Sequence, residues 1–186
     1  VEPPAGELNR LHRGVNNTLP EGAFGSQYVA MNKSKRSICL DAHTELGAAT
    51  MGRLLARADL FVSNYRAPAL SRMGLDLNDL TKRYPRLVVG HANGFGSLGP
   101  DADKAMLDGA AQARGGLASL SGPQGDTPMP PGAAIADTAG AMLLALACTT
   151  ALITRGITGR GQLVQTSSLG GQLWLQMWEL QHSAMT

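Results

Sequence analysis

The chain has 186 residues, of which 44% are hydrophobic and 16% charged; this is the composition of a globular protein with a substantial core and excludes a disordered chain. The 16 basic and 14 acidic residues are spread without a block of one sign, so nucleic acid is a poor candidate partner. Cys39 and Cys148 lie in apolar surroundings without CxxC spacing. We therefore expect two buried thiols in a reducing cytoplasm, with no disulfide and no zinc site.

Strand and helix patterns alternate along most of the chain, after an irregular segment expected over residues 1–30. Short runs of large apolar and β-branched residues predict strands at 36–41, 59–64, 86–93 and 161–167. Apolar residues at helical spacing predict helices at 44–58 (with Thr44 as N-cap), 69–73, 77–83, 104–120, 137–155 and 169–182. Strands separated by such helices indicate βαβ units, and hence an α/β fold with a parallel sheet.

The longest uncharged run covers residues 138–154, between Asp137 and Arg155. Its length is at the lower edge of what can span a bilayer. Its glycine, alanine, threonine and cysteine content favours a buried core helix instead, ended by Gly156. We therefore predict no membrane span.

The segment GFGSLG, Gly94–Gly99, matches the G-x-G-x-x-G pattern of dinucleotide sites and follows a predicted strand. Pro100, Asp101 and Asp103 come directly after it, whereas a true fingerprint enters a helix there. The region about 20 residues further on has no strand that ends in an acidic residue. The motif therefore predicts a glycine turn with close backbone approach.

The four histidines and one basic cluster do not form a recognisable catalytic or metal-binding motif. His12, His43, His91 and His182 are scattered without a helical pair, which favours surface or structural roles and no metal site. The basic segment Asn32–Ser37 is interpreted as a solvated turn, with a phosphate contact as the alternative.

Asp137 is the only charged residue in PPGAAIADTAGAM, Pro130–Met142. Aspartate is among the best N-cap residues, so capping of the following helix is the simplest prediction. A helix N-terminus also favours the ionised carboxylate, and at the mouth of a glycine-lined pocket that carboxylate could act as a nucleophile. The residues alone leave both interpretations open.

Seven segments of the chain carry a family resemblance: VEPPAGE, NKSKRSICLDAHTELG, ADLFVSNYRAPALSRMGLD, YPRLVVGHANGFGSLGP, LDGAAQARGG, IADTAGA and RGITGRGQLV. In this order and spacing they resemble the class III CoA-transferases, the family that includes formyl-CoA transferase, carnitine CoA-transferase and α-methylacyl-CoA racemases. The resemblance implies a Rossmann-like parallel sheet with flanking helices. Residues 1–186 are then expected to be the central part of the large domain, without its first strand and the small domain, from an interlocked homodimer.

The resemblance also implies site residues. Asp137 stands where the family has its catalytic aspartate, with Ala136 in place of the usual preceding glycine. Asn64 and Tyr65 match an Asn-Phe pair that lies against CoA.

Two basic residues match CoA contacts as well. Arg72 matches a basic residue near the CoA phosphates, and Lys104 resembles a CoA-contacting lysine, one residue out of register. No metal and no tightly bound cofactor is implied, because CoA and acyl-CoA are substrates.

The implied reaction exchanges CoA between two carboxylic acids through an aspartyl mixed anhydride and an aspartyl-CoA thioester at Asp137. Racemases of the family carry a histidine directly before the aspartate of a GHD motif, and this chain has Met106-Leu107-Asp108 there. The missing histidine favours transferase over racemase, since racemisation needs a second acid/base group. A non-catalytic fragment or dimerisation module is a third reading of these residues.

Overall fold

A computed structural model describes residues 1–12, 18–102, 104–123 and 125–186. The chain divides into two compact units, Val1–Leu54 and Leu55–Thr186. The first unit contains the 3-10 helix Leu8–Arg10, the short helix α1 (Ser26–Met31) and nearly all of α2 (Glu45–Leu55). Thr44 starts α2 as predicted, because its Oγ1 accepts a hydrogen bond from the Gly47 N–H at 3.0 Å.

The second unit is an α/β layer structure. Its strands are β1 (Leu60–Ser63), β2 (Val88–Asn93) and β3 (Leu163–Ser167). They form a three-stranded sheet in the order β1-β2-β3, and both pairings are parallel. The helices are α3 (Ala67–Arg72), α4 (Leu77–Arg83), α5 (Asp108–Arg114), α6 (Ile135–Thr158), α7 (Ser168–Leu175) and α8 (Met177–Met185). This architecture confirms the predicted α/β class.

Helix α6 lies against the central strand of this sheet. A Cβ atom on Gly90 of β2 would lie 2.6 Å from the Cys148 Sγ of α6, so a glycine is needed there. The buried residues of α6 recur every three or four positions: Ala136, Ala139, Gly140, Leu144, Cys148 and Ala151. Burial raises the pKa of the Cys148 thiol, which confirms the predicted buried cysteine.

The opposite face of α6 is apolar and exposed, at Met142, Leu146, Ile153 and Ile157. Among the residues that the structure describes, α6 alone has the length and composition of a membrane-crossing helix. Its buried face packs on β2, β3 and α7.

Some predicted elements differ from the observed ones. Residues 36–41 form no strand; Cys39 makes only an isolated bridge with Glu2, and its side chain is exposed, against our prediction of a buried thiol. The irregular segment predicted over residues 1–30 includes α1 and the 3-10 helix. The helix predicted at 104–120 begins only at Asp108 and gives way to a 3-10 turn after Gly116.

Two predicted helix ends are also wrong. Gly156 lies inside α6, which continues to Thr158 and ends where Gly159 adopts φ +74. The single helix predicted at 169–182 is two helices that meet at Gln176.

Candidate active site

The carboxyl ends of the three strands meet at one edge of the sheet. Ser63 of β1 pairs with His91 of β2, and Asn93 of β2 pairs with Ser167 of β3. The chain segments that follow these residues are therefore neighbours. In open α/β sheets, ligands bind at this edge.

Asp137 lies at this edge in the first turn of α6. The N-cap of α6 is Ala134, so Asp137 is the third helical residue and the prediction that it is the N-cap is wrong. Its side chain is exposed, and Oδ1 accepts a hydrogen bond from the Ser168 hydroxyl at 2.8 Å. Ser168 directly follows β3 and is the first residue of α7. The carboxylate is thus held from one side and open on the other.

Asp108, the first residue of α5, holds the same turn of α6 through the backbone. Its Oδ1 accepts a hydrogen bond from the Asp137 N–H at 2.9 Å. Its Oδ2 accepts a short one from the side-chain amide of Gln112, which also donates to the Ala133 carbonyl at 3.0 Å. Asp108 therefore takes the capping role that we had assigned to Asp137, from a different helix.

An open cleft of about 330 Å³ lies beside the segment that carries Ser168. Its wall is formed by the glycine segment after β2, the end of β3 and parts of α6 and α7, at Gly96, Ser97, Leu143, Gln165, Thr166, Ser167, Gly170 and Gly171.

The glycine segment after β2 contributes to this wall as a turn. Gly96 has φ +100 and its N–H donates to the Asn93 Oδ1 at 2.6 Å, while Gly99 has φ +92. A Cβ atom on Gly94 would lie 2.5 Å from that of Met106. The prediction of a glycine turn with close backbone approach is therefore confirmed.

Asn64 and Tyr65 follow β1 at the same edge as Asp137. Both side chains are exposed, and Tyr65 has 52% of its surface accessible. The Tyr65 carbonyl is fixed by the buried His91, whose Nε2 lies 2.8 Å from it, while the His91 Nδ1 lies 3.2 Å from the Gln165 amide. His91 is therefore a structural histidine, as predicted, and it connects the three strands below the exposed side chains.

Arg72 and Lys104 lie on separate elements. Arg72 is exposed at the last residue of α3. Lys104 precedes α5, and its Nζ lies 2.6 Å from the Asp101 carboxylate, which also binds the Arg114 guanidinium at 3.0 Å. The hydrogen bond from Lys104 holds the pKa of Asp101 below its usual range. Within the described ranges, no hydrogen bond or ion pair joins Arg72 or Lys104 to Asp137.

The sequence reasoning missed Ser168 and treated Asp108 only as the end of a motif. Both partners are distant in sequence, by 31 and 29 residues from Asp137. One signal was available: Gly140 stands three residues after Asp137, on the same side of a helix, where it allows another backbone to approach.

The whole chain, residues 1–186, matches the family model described as CoA-transferase family III. It is 34% identical over 174 residues to the formyl-CoA:oxalate CoA-transferase of Rhodopseudomonas palustris strain BisB18. This alignment covers 93% of this chain and 40% of that protein. It is 31% identical over 152 residues to the human succinyl-CoA:glutarate CoA-transferase, and this second alignment covers 82% of this chain and 35% of the human protein.

Solved structures agree with the sequence comparisons. The crystal structure of a CAIB/BAIF family protein from Brucella suis superimposes with a TM-score of 0.87 at 31% identity, over 98% of this chain and 49% of that one. The chain thus spans half or less of the length of these proteins.

Proposed function

Because the chain belongs to CoA-transferase family III, we propose that it carries the nucleophile of an enzyme that moves CoA from an acyl-CoA donor to a carboxylic acid acceptor. One observation carries this proposal: the Asp137 carboxylate is exposed at the carboxyl edge of the sheet, with one oxygen held by Ser168. An oriented carboxylate at a helix N-terminus is suited to nucleophilic attack.

The reaction follows from the chemistry of a carboxylate nucleophile. One Asp137 oxygen attacks the thioester carbon of the donor; the C–S bond breaks, and CoA leaves as the thiolate. The thiolate then attacks the aspartyl carbonyl of the mixed anhydride, forming an aspartyl-CoA thioester and releasing the donor acid. The acceptor carboxylate reverses these two steps. A serine ester would be too stable to return its acyl group to a thiol, whereas an anhydride is reactive at both carbonyls.

CoA would lie along the carboxyl edge. Asn64 and Tyr65 follow the outer strand β1, where their exposed amide and ring can contact the CoA part of the acyl-CoA substrate. Arg72 and Lys104 would supply positive charge to its phosphates. Lys104 would have to leave or share its ion pair with Asp101, so Arg72 is the better placed of the two.

The names of the relatives suggest which substrates to try. One relative is named for formyl-CoA and oxalate and another for succinyl-CoA and glutarate. We propose a short acyl-CoA as the donor and a small dicarboxylic acid as the acceptor for this protein.

We further propose that residues 1–186 are the central part of a large Rossmann-like domain. In this proposal the whole protein works in the cytoplasm as an interlocked homodimer, without metal or tightly bound cofactor.

Transferase is preferred to racemase because of the contacts of Asp108. Racemisation needs a second group that gives or takes a proton beside the α-carbon. Asp108 is the carboxylate bound to the turn of Asp137, and both its oxygens already accept hydrogen bonds, from the Asp137 N–H and from Gln112. These contacts suit it to hold the helix.

The proposal is tested by trapping. The protein that carries this chain is incubated with succinyl-CoA and with formyl-CoA, quenched with hydroxylamine and digested, and hydroxamate is sought at Asp137 by mass spectrometry. We expect label at Asp137, and loss of CoA exchange by more than about 1000-fold in Asp137→Ala. Asp79→Ala is a matched control, because Asp79 is also an exposed third residue of a helix. Normal exchange in Asp137→Ala would overturn the proposal.

The alternative activity is measured in the same preparation. Incorporation of deuterium from solvent at the α-carbon of the acyl-CoA, without an acceptor acid, would support a racemase. We expect no deuterium incorporation during a period in which many CoA exchanges take place.

A further inference from the structure

Ser168 is the side chain bound to the carboxylate of Asp137. An ionised carboxylate has only acceptor oxygens, so the hydroxyl is the donor in the 2.8 Å contact with Oδ1. Among the residues that the structure describes, no other hydrogen bond engages this hydroxyl or either carboxylate oxygen of Asp137. The bond therefore distinguishes the two oxygens: Oδ1 is held and Oδ2 is open.

The position of Ser168 is fixed by its neighbours on the chain. The N-cap hydroxyl of Ser167 accepts a hydrogen bond from the Gly170 N–H at 2.9 Å, and the Leu169 N–H donates to the Gly94 carbonyl at 3.0 Å. A Cβ atom on Gly140 would lie 3.2 Å from the Ser168 Cα, which is backbone contact across the two helices. The hydroxyl is therefore presented by a rigid junction of strand and helix, as an effective catalytic donor must be.

We propose, on the premise of the CoA-transferase function above, that Ser168 stabilises the oxyanion formed when CoA thiolate attacks the aspartyl carbonyl. This assigns Ser168 to the second covalent step of the first half-reaction and, because the second half-reaction runs in reverse, to the first covalent step of that one, beyond the role of Asp137 itself.

The atoms of that step are as follows. Oδ2 of Asp137 has formed the bond to the donor acyl carbon, so Oδ1 is the aspartyl carbonyl oxygen of the mixed anhydride. The CoA sulfur forms a bond to Cγ, and the C=O electron pair moves to Oδ1, next to the Ser168 hydroxyl. Collapse of this intermediate breaks the Cγ–Oδ2 bond, and the donor acid leaves as its carboxylate with Oδ2. The product is the aspartyl-CoA thioester, with Oδ1 still as its carbonyl oxygen.

Ser168 acts differently on the two steps. During the attack on the donor, Oδ1 changes from a carboxylate oxygen to a neutral carbonyl oxygen, so its hydrogen bond becomes weaker. During the attack of the thiolate, Oδ1 changes from a neutral carbonyl to an alkoxide, so the same bond becomes stronger. Only an interaction that strengthens toward the transition state accelerates a step. Loss of the hydroxyl should therefore slow thioester formation and spare anhydride formation.

The test measures the two adducts separately. Wild-type protein, Ser168→Ala and Ser168→Thr are mixed with acyl-CoA, quenched in acid at successive times and analysed for the mass added to the Asp137 peptide. An added acyl group reports the anhydride, and an added CoA reports the thioester. In Ser168→Ala we expect thioester formation to slow by about 10- to 100-fold, with the anhydride accumulating at an undiminished rate. Ser168→Thr keeps the hydroxyl and should restore most of the rate.

Thr149→Ala is the control, because it removes an α6 hydroxyl whose hydrogen bond, within the described part of the chain, is to the Ala145 carbonyl of the same helix. An unchanged rate of thioester formation in Ser168→Ala would overturn the inference. An equal decrease in the rates of anhydride and thioester formation would also overturn it, because a merely structural role of Ser168 has that effect. Wild-type protein that forms neither adduct would instead overturn the proposed function itself.

Discussion

Gly171 of α7 lies directly against Gly140 of α6, so closely that a Cβ atom on Gly171 would be 2.5 Å from the Gly140 backbone nitrogen. This contact holds the two helices at the distance at which the Ser168 hydroxyl reaches Asp137. The Thr166 hydroxyl adds a hydrogen bond to the Gly140 carbonyl at 3.1 Å. Two positions without side chains therefore determine the geometry of the candidate site.

Gly171→Ala should disturb both stability and activity. The new methyl group meets backbone atoms that cannot rotate away, so α7 must shift from α6. We expect a loss of about 1–3 kcal/mol in the free energy of unfolding, measured by urea denaturation. CoA exchange should fall as the Ser168 contact with Asp137 lengthens. Full exchange activity in a Gly171→Ala protein of normal stability would contradict this account.

Gly156→Ala should have the opposite effect on stability. Gly156 is exposed inside α6, and nothing lies within 4 Å of a Cβ atom built on it. Alanine is favoured over glycine in a helix interior, so the variant should gain about 0.5–1 kcal/mol. Urea denaturation also measures the free energy of unfolding of this variant, so Gly156→Ala is a control for the Gly171→Ala variant. A destabilised Gly156→Ala protein would show that α6 is not a regular helix there.

Asp108→Ala should impair the enzyme through the position of Asp137. The change removes the acceptor of the Asp137 N–H and a partner of the buried Gln112 amide, whose Oε1 already has no partner among the described residues. Loss of such bonds costs about 1–3 kcal/mol. We expect a lower melting temperature and a kcat reduced about tenfold, with partial recovery in Asp108→Asn, which keeps one acceptor oxygen. An Asp108→Ala enzyme with wild-type kcat would contradict this role.

Arg72→Ala should weaken CoA binding at the phosphates. We expect the Kd of CoA to rise about tenfold by calorimetry, as loss of one charge-assisted hydrogen bond predicts. The change should be smaller for dephospho-CoA, which lacks the ribose phosphate. Arg160→Ala removes an exposed arginine from the loop between α6 and β3 and is the control. An equal loss for both ligands would place Arg72 away from that phosphate.

The first unit should lose stability in acid because of Glu2. This carboxylate accepts hydrogen bonds from the Arg10 guanidinium at 2.5 and 2.7 Å and from the Ser37 hydroxyl at 2.6 Å. The Arg10 hydrogen bonds, and then that of Ser37, hold the pKa of Glu2 well below its usual range. A depressed carboxylate pKa contributes stability that is complete above the unfolded value, about 4.3, and is lost as the pH falls below it.

Glu2→Gln measures this contribution. The variant should be less stable than wild type at pH 7, and the difference between their melting temperatures should shrink between pH 5 and pH 2. Arg10 also stacks on Tyr28, with its guanidinium carbon 4.2 Å from the ring centroid, so the NMR signals of the Tyr28 ring can follow this unit. A difference that stays constant with pH would rule out the Glu2 titration as its source.

Much of the fold could be predicted from the sequence, because it depends on local patterns. The strands at 60–63, 88–93 and 163–167 were recognisable from apolar runs, and the parallel sheet from the helices between them. The error at 36–41 has a physical cause. A strand exists only through pairing with a neighbour, and there the described structure provides only the bridge between Cys39 and Glu2.

Helix ends were less predictable for a related reason. Gly156 was taken as a stop because of its low helix propensity, but a glycine costs only about 1 kcal/mol, and the packing of α6 on the sheet outweighs it. Asp137 was taken as the N-cap, but the helix begins two residues earlier because Asp108 supplies the cap from α5.

The sequence by itself determined the α/β class, the family and Asp137 as the candidate nucleophile, since periodicity and motif order are properties of the linear chain. Only the tertiary structure decided what surrounds that carboxylate. Ser168 and Asp108 are 31 and 29 residues away from it along the chain. They meet it because parallel strands end at one edge and because glycines at 140 and 171 let two helices touch. Close packing between distant elements leaves no periodic signal in a sequence, and it places the Ser168 hydroxyl beside the Asp137 carboxylate.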